Sequence, residues 1–209
     1  GLYGRAVIPT QPKNIQITLR GKWAINSSDP GVTLDSFTDS TTTLAFTTIN
    51  GEPLDVILKA NPQYSFPVPV SWNYLSFNSH PTTPLASAVF GSSPSIIIAK
   101  NNLGNAYWPE FNINTIGDVE IGQGYQVYSE SAGLITFEGT NISPSTPISL
   151  SAGWNLIGYL PQQNLPIQTA LNGISPQLHL VKNSSGDVYW PEFNVNNIGN
   201  MQIGQGYKI

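Results

Sequence analysis

Apolar and polar residues alternate along much of the chain, in short runs rich in β-branched and aromatic side chains. Residues 15–19 alternate as a half-buried strand does, and residues 42–49 form a β-branched run. An Asn-Gly pair follows this second run and leads into residues 54–58, which is a hairpin signal. Residues 1–60 are therefore predicted to form an N-terminal β region.

One pattern occurs twice in the remainder of the chain. Tyr-Trp-Pro-Glu-Phe-Asn begins at Tyr107 and again at Tyr189, and Gly-Gln-Gly-Tyr begins at Gly122 and again at Gly204. The separation is constant (190 − 108 = 82), and the alignment needs no gap. A gapless internal repeat indicates a duplicated structural unit.

Both copies have the same predicted order of elements. A strand that contains Trp72 or Trp154 leads to a short helix, which opens near a proline and ends before a glycine. In the first copy, Leu85, Ala88 and Val89 would form the apolar stripe of that helix. Strands joined by an Asn-rich hairpin follow, and the Gly-Gln-Gly turn enters the last strand. The expected fold class is mostly β, with tandem small antiparallel β modules that each carry one short helix. The predicted domains are an N-terminal β region (1–60), module 1 (61–142) and module 2 (143–209), here called the first and second copies.

The second copy is shorter at its C-terminal end. Ile209 aligns with Val127, and the first copy continues from there into a further predicted strand, Leu134–Gly139. We therefore expect the second copy to be C-terminally incomplete. Either the sequence is a piece of a longer protein, or a following module supplies the last strand.

Composition limits the function classes. Only 10% of the 209 residues are charged, the net charge is −4, and the eight Lys and Arg are scattered, so nucleic-acid binding is not expected. There is no Cys, which excludes disulfides and thiolate metal sites. No apolar run approaches the roughly 20 residues of a membrane span, so membrane insertion is not expected. The polarity comes from Ser, Thr and Asn, which suits sugars and other neutral surfaces.

Three motifs of the second copy carry a resemblance to a known family. They are the Gly-Trp-Asn-Leu start at Gly153, Tyr-Trp-Pro at Tyr189 and Gly-x-Gly-Tyr at Gly204. Together they resemble a tandem repeat of large secreted and surface proteins of Bacteroidota, the cargo of type IX secretion. The resemblance covers roughly residues 66–209, and the first copy departs from it at Ser71, Tyr74 and Ser76. It implies export, an extracellular or cell-surface location and a place in a multi-module protein, and it supplies no catalytic residues.

The Tyr-Trp-Pro-Glu-Phe segment offers the most suggestive chemistry. On a strand, Tyr107, Pro109 and Phe111 would share one face, and Trp108 and Glu110 the other. An indole beside carboxylate and amide groups is a plausible sugar platform, whereas the competing interpretation, which the pattern favours, makes the tryptophans core anchors of a small domain. The candidate ligand-binding residues are Trp108, Glu110, Asn112, Trp190, Glu192 and Asn194.

Other motifs have simpler explanations. Trp72 and Trp154 are predicted to lie in the core, since their neighbours are apolar at alternate positions. The Gly-Gln-Gly segments are predicted to be tight turns, because they lack the remaining residues of a phosphate-binding loop. The hairpins at Asn101 and Asn183 contain oxygen ligands suitable for Ca²⁺, but turn chemistry explains them as well. No other cofactor and no metal site is predicted.

Three hypotheses about function remain. The first is a non-catalytic extracellular binding or adhesion module of a larger protein, with a glycan or another cell-surface polymer as its partner. The second is a structural stalk, filament or virion-surface subunit, whose partners are neighbouring modules of the same or an adjacent chain. The third, a glycan-active enzyme fragment, ranks last. It would need two carboxylates in one pocket, and Glu110 and Glu192 fall in separate copies, while His80 and His179 are not repeated.

Overall fold

The chain divides into two compact units, residues 1–62 and 63–209. The computed structural model describes residues 62–209 and, within the first unit, the backbone of six strands. These strands are β1 (Tyr3–Val7), β2 (Ile15–Arg20), β3 (Trp23–Ile25), β4 (Val32–Leu34), β5 (Thr41–Phe46) and β6 (Asp55–Ala60).

The predicted strands of the N-terminal region are confirmed at β2, β5 and β6, but the predicted hairpin between the last two is wrong. β5 pairs with β2 and β4, whereas β6 pairs with β1 and β3, so the two strands belong to different antiparallel sheets. The turn signal at Asn50-Gly51 lies outside the described residues.

The first copy forms a five-stranded and a three-stranded sheet, both antiparallel. The sheet orders are β12-β11-β10-β13-β8 and β7-β14-β9. The strands are β7 (Gln63–Val68), β8 (Ser71–Leu75), β9 (Ser79–Pro81), β10 (Ile96–Lys100), β11 (Ala106–Trp108), β12 (Ile113–Asn114), β13 (Tyr125–Ser129) and β14 (Gly133–Asn141). The helical elements are α1 (Ala86–Val89) and two 3₁₀ turns, Phe90–Ser92 and Pro109–Phe111.

The second copy repeats the five-stranded arrangement. Its sheet order is β15-β21-β17-β18-β19, and each strand corresponds in sequence to a strand of the first sheet. The strands are β15 (Leu156–Gly158), β16 (Leu165–Pro166), β17 (Val181–Lys182), β18 (Val188–Trp190), β19 (Val195–Asn196), β20 (Asn200–Met201) and β21 (Gly206–Lys208). The helical elements are α2 (Ile167–Ala170) and the 3₁₀ turns Asn172–Gln177 and Pro191–Phe193. The mostly β, antiparallel class is confirmed, while independent folding of each module and the predicted module boundaries stay predictions.

The short helix differs from its predicted form by one position. Leu85 is extended and 42% exposed, and the buried side chains are Ala86 and Val89, followed by Phe90. The apolar stripe at Leu85, Ala88 and Val89 is therefore wrong. The alignment also slips here, because Ala86 N–H donates to the Gly117 carbonyl (2.8 Å) as Ile167 N–H does to that of Gly199 (3.0 Å), and 167 − 86 = 81.

The two copies dock through reciprocal backbone hydrogen bonds. Ser76 N–H of the first copy donates to the Gly204 carbonyl of the second (2.9 Å). Gly158 N–H of the second copy donates to the Gly122 carbonyl of the first (2.7 Å). In the alignment of the two copies, Ser76 corresponds to Gly158 and Gly122 corresponds to Gly204. The two hydrogen bonds are therefore equivalent. This is the signature of a twofold, self-complementary interface.

The second glycine of each Gly-x-Gly turn lies in close contact with the other copy. A Cβ at Gly124 would lie 2.7 Å from the Ile157 carbonyl oxygen, and a Cβ at Gly206 would lie 3.0 Å from that of Leu75. Both contacts join one copy to the other. The predicted tight turn is confirmed at residues 121–122, with Gly122 at φ 80. Its packing role against the partner copy was not predicted.

The tyrosine that follows each Gly-x-Gly turn holds the turn from inside the core. Tyr125 and Tyr207 are fully buried, and their hydroxyls accept hydrogen bonds from the backbone amides of Glu120 (2.7 Å) and Gln202 (2.8 Å). Burial raises the pKa of Tyr125 far above its usual range and raises the pKa of Tyr207 to about 12. Each phenol therefore links a core to its docking turn.

Each copy has its own hydrophobic cluster. The larger one is in the first copy and includes Phe66 and Ile135 of the three-stranded sheet, and the smaller one is centred on Ile167 and Tyr207 of the second copy. Within the described part of the chain, no helix has the length and apolar character needed to cross a membrane.

Gly124→Ala should destabilise the protein by about 1–3 kcal/mol, because the added methyl group overpacks the contact between the copies. Gly173→Ala is the matched control, since nothing lies within 4 Å of a Cβ at that position. It should be neutral or stabilising by up to about 1 kcal/mol. Urea unfolding of both variants measures the difference, and equal stabilities would contradict the docking role of Gly124.

The free energy of unfolding should fall as the pH rises from about 10 towards 12. The pKa of Tyr207 is raised in the folded state, so the unfolded chain ionises first and loses protons that the folded chain retains. The contribution of the neutral Tyr207 phenol to the free energy of unfolding is complete below pH 10. It is lost as the pH rises through the folded-state pKa of about 12. Urea midpoints across this range test it, with Tyr207→Phe expected to show a shallower decline than the parent chain. Identical slopes would refute the assignment.

Candidate functional site: the outer face of the five-stranded sheets

The five-stranded sheet of the first copy has one buried and one solvent-facing side. Leu75 of β8 and the alternate residues Tyr125 and Val127 of β13 point into the core. Strand pairing places the intervening side chains on the opposite side, here called the outer face, because successive strand residues point to opposite sides. Trp72 is opposite Tyr128, Tyr74 is opposite Gln126, and Lys100 pairs with both Gln126 and Ala106.

Trp72 is the centre of this outer face in the first copy. Its side chain is 49% exposed, and its ring centroid lies 5.3 Å from that of Tyr128. The Lys100 ammonium lies 5.7 Å from the indole centroid, a cation–π distance. Such a contact contributes only about 0.5–1 kcal/mol at an exposed site. A ligand that stacks on the indole would therefore displace Lys100 at little cost and could retain it as a hydrogen-bond donor.

Trp154 is the corresponding residue of the second copy. It is 48% exposed, and two ammonium groups approach its ring, from Lys182 (5.4 Å) and Lys208 (5.5 Å). The position of Gln126 in the first copy is taken by Lys208 in the second. The two outer faces thus share an exposed indole and a lysine, but the second has more positive charge.

The prediction that Trp72 and Trp154 lie in the core is wrong, and the neighbouring asparagine explains why. Asn73 takes the buried position, with its amide donating to the carbonyls of Pro69 (2.7 Å) and Ser71 (2.9 Å). Asn155 donates in the same way to Ser151 (2.8 Å) and Gly153 (3.0 Å). This locally satisfied amide directs the preceding tryptophan outwards.

A left-handed residue completes the same turn. Ser71 has φ 81 and Gly153 has φ 89, so the backbone reverses just before each tryptophan. The Ser-Trp-Asn segment of the first copy and the Gly-Trp-Asn segment of the second therefore encode a turn that presents an indole to solvent. The signal that the two copies share in the sequence is the asparagine directly after the tryptophan.

The second aromatic feature is a corner formed by a tryptophan and a phenylalanine in each copy. The ring centroids of Trp108 and Phe111 are 4.5 Å apart at 79°, and those of Trp190 and Phe193 are 4.5 Å apart at 75°. Phe111 is 57% and Phe193 61% exposed. These two pairs are here called the aromatic corners.

The aromatic corners do not have the continuous strand geometry that the sequence predicted. The strand ends at Trp108, and Pro109 begins a 3₁₀ turn, so Trp108 and Glu110 do not alternate on one strand face. Instead the turn brings residues three positions apart together, which is why Phe111 packs against Trp108. The predicted common face of Tyr107, Pro109 and Phe111 is wrong for the same reason, since Tyr107 is buried and Phe111 is not.

The candidate tryptophans differ in accessibility. Trp190 is 38% exposed, whereas Trp108 is partly buried. The indole N–H of Trp108 is buried and has no hydrogen-bond partner within the described residues. Burying an unpaired donor costs about 1–3 kcal/mol. Trp108 is therefore the less accessible indole of the two, and Trp190 presents the more open one.

The polar candidates lie in the same turns. Glu110 and Glu192 occupy the first turn of each 3₁₀ segment, and Asn112 and Asn194 end it in the left-handed conformation, both at φ 54. All four side chains are exposed. They remain candidates for hydrogen bonds to a ligand stacked on the neighbouring aromatic corner.

The Asn-rich hairpins use their oxygens internally. Asn101 Oδ1 accepts hydrogen bonds from the amides of Leu103 and Asn105 (both 3.0 Å), and Asn183 Oδ1 accepts one from Asp187 N–H (2.9 Å). This is the role that turn chemistry predicts. Among the described residues, no group of three or more His, Asp or Glu side chains could hold a metal ion.

No family model, curated protein or solved structure matches the chain.

Trp72→Ala should cost little stability, about 1 kcal/mol or less, because roughly half of the side chain is already in water. Phe90→Ala should cost about 3–5 kcal/mol, since Phe90 is fully buried in the same copy. Urea unfolding compares the two variants. A loss at Trp72 as large as that at Phe90 would show that the indole belongs to the core.

Proposed function

We propose that this chain is a non-catalytic binding module of an exported protein, which holds a glycan or another hydroxyl-rich polymer on its outer faces. The observation that carries the proposal is the pair of half-exposed indoles, Trp72 and Trp154, each beside a lysine ammonium. An indole presents a flat apolar surface, and the ammonium donates hydrogen bonds beside it. This combination suits the C–H face of a sugar ring and its neighbouring hydroxyls.

The repetition of the feature supports a polymeric ligand. A single exposed aromatic platform binds a sugar weakly, whereas two platforms in one chain gain from effective concentration when the ligand is long enough to reach both. The aromatic corners at Trp108 and Trp190 would extend the contact along the same sheets. The low charge of the chain as a whole accords with a ligand recognised mainly by stacking and hydrogen bonds.

The number of ammonium groups beside the indole differs between the copies, and this difference favours sugars of different charge on the two outer faces. Two ammonium groups flank Trp154, whereas Trp72 has one ammonium and the Tyr128 ring beside it. We expect the second copy to favour sugars with carboxylate or sulfate groups and the first to accept neutral ones. Export and a surface location belong to the same proposal and draw on the resemblance of the Gly-Trp-Asn-Leu and Gly-x-Gly-Tyr motifs to secreted repeats.

Affinity electrophoresis through neutral and acidic polysaccharides tests the proposal. Trp72→Ala and Trp154→Ala should each weaken binding about tenfold, which corresponds to about 1.4 kcal/mol, and the double variant should lose more than either because avidity is lost. Trp108→Ala with Trp190→Ala should produce a smaller loss. Leu103→Ala is the matched control, because Leu103 is a 79% exposed apolar side chain in the Asn-rich hairpin.

Two results would overturn the proposal. One is retention on no polysaccharide of the panel, and the other is retention that the tryptophan variants leave unchanged. Concentration-dependent assembly of the chain without polymer binding would favour a stalk, filament or virion-surface subunit instead. Circular dichroism of each variant ensures that lost binding is not lost folding.

A further inference from the structure

The outer face of the first copy carries a row of apolar side chains that crosses the five-stranded sheet. Residues opposite each other in an antiparallel pair lie side by side on one face. Ala99 is paired with Tyr107 on the buried side, so Ile98 and Trp108 are neighbours on the outer side. The remaining neighbours follow from the pairing of β8, β13, β11 and β12. This set, here called the aromatic row, has one member on each strand: Trp72, Tyr128, Ile98, Trp108 and Ile113.

The aromatic row has no polar gap in its middle. Ile98 pairs with Tyr128 on the outer side, yet only 7% of its surface is exposed. Tyr128 and Trp108 flank it in the row, and both are large enough to cover it. At one end the rings of Trp72 and Tyr128 lie 5.3 Å apart, and at the other Phe111 packs against Trp108 at 4.5 Å. The indole platform at Trp72 and the aromatic corner are therefore two ends of one apolar surface.

A row of polar side chains runs beside the aromatic row, two residues further along the strands. It consists of the Tyr74 hydroxyl, the Gln126 amide and the Lys100 ammonium, which the strand pairs place side by side. None of these three polar groups forms a hydrogen bond with another residue in the part of the chain that the structure describes. The Lys100 ammonium lies 5.7 Å from the indole centroid of Trp72, so the two rows meet there. The polar row can therefore bond a ligand that lies on the aromatic row.

We propose that the aromatic row is one continuous site for a linear, ribbon-like glycan of equatorially linked pyranose units, which crosses the strands from Trp72 to Phe111. The inference rests on the proposed function and names the ligand class of that site. The pyranose units of such a chain expose C–H faces that can stack on an indole, a phenol or an aliphatic side chain. Their hydroxyls lie along the edges of the ribbon, where the polar row would meet them.

The dimensions of the aromatic row set the length of the ligand. Neighbouring strands lie about 4.8 Å apart, so the row extends over about 19 Å. That spacing is close to the length of one pyranose unit in an extended chain, and about five units would therefore cover the row, one to a strand. A glucan with axial α-1,4 links curls instead, and it would leave the row after a short contact. The site therefore selects its ligand by shape.

Calorimetric titration of the whole chain with oligosaccharides of defined length tests the ligand class. The probes are cello-oligosaccharides and xylo-oligosaccharides of two to six units. Malto-oligosaccharides are the control, since they differ from the cello series only in the linkage. Affinity for at least one of the two probe series should rise at least about tenfold from two units to five, because each further unit reaches another strand. The sixth unit should add little, and the malto series should show no such rise.

Substitutions at the two ends of the aromatic row separate a continuous site from a single platform. Trp72→Ala should weaken binding of the five-unit ligand about tenfold. Phe111→Ala combined with Ile113→Ala, at the far end, should remove most of the gain between two and five units and leave the two-unit affinity unchanged. Leu134→Ala is the matched control, because Leu134 is 53% exposed, much as Phe111 is (57%), but lies on β14 of the three-stranded sheet. It should bind every ligand as the parent chain does.

Amide chemical shifts of the unsubstituted chain provide a measurement that no variant can disturb. With the five-unit ligand, the changes should extend across the sheet from β8 to β12. Changes confined to β8 and β13 would show a ligand that occupies only the platform at Trp72, and they would overturn the continuous site.

Three other results would overturn the continuous site and leave the proposed function in place. The first is an affinity that depends on Trp72 but does not change with ligand length. The second is equal binding of the malto series, which would exclude selection by shape. The third is absence of binding to both probe series by a chain that other polysaccharides retain. Retention on no polysaccharide would instead remove the proposed function itself, and the continuous site with it.

Discussion

The reciprocal docking of the two Gly-x-Gly turns is the constraint on which the rest of residues 63–209 depends. Each turn presents a bare backbone to β8 or β15 of the other copy. An added Cβ would lie 2.7 Å from a carbonyl oxygen there at Gly124 and 3.0 Å from one at Gly206, so the second contact is tight but the less severe. The tyrosine after each turn is buried in its own core and bonds the same turn. Docking, turn conformation and core packing are therefore coupled, and a change in one is transmitted to the others. Small domains bury too little surface to be robust alone, so the contact between the copies adds what each core lacks.

Docking also explains where the copies diverge. Ser76 of the first copy corresponds to Gly158 of the second, so only the first copy has a hydroxyl at this position. Ser76 Oγ donates to the Gln205 carbonyl (2.7 Å) and accepts from Tyr159 N–H (3.0 Å), so the first copy contributes a polar link that has no twin. The first copy has β14 over its core as well.

Much of the fold was predictable from the sequence, and the failures have a common physical origin. Strand alternation, the mostly β class and the tight Gly-Gln-Gly turns all follow from local patterns. The outward direction of Trp72 does not, because the apolar residues at alternate positions predict burial of the indole, whereas Asn73 takes the buried position and its amide is satisfied by two nearby carbonyls. The strand alternation through Glu110 failed because Pro109 starts a 3₁₀ turn. The contact of each Gly-x-Gly turn with the other copy could not be predicted from the sequence, because no local pattern encodes a contact between segments far apart in the chain.

The symmetry of the docking limits what the repeat can build. A self-complementary contact uses the same surface on both copies, so it closes after two and cannot propagate into a longer array. A stalk made by stacking further modules would therefore need a different surface. The outer faces that present Trp72 and Trp154 stay available, because both indoles are half exposed in the docked pair.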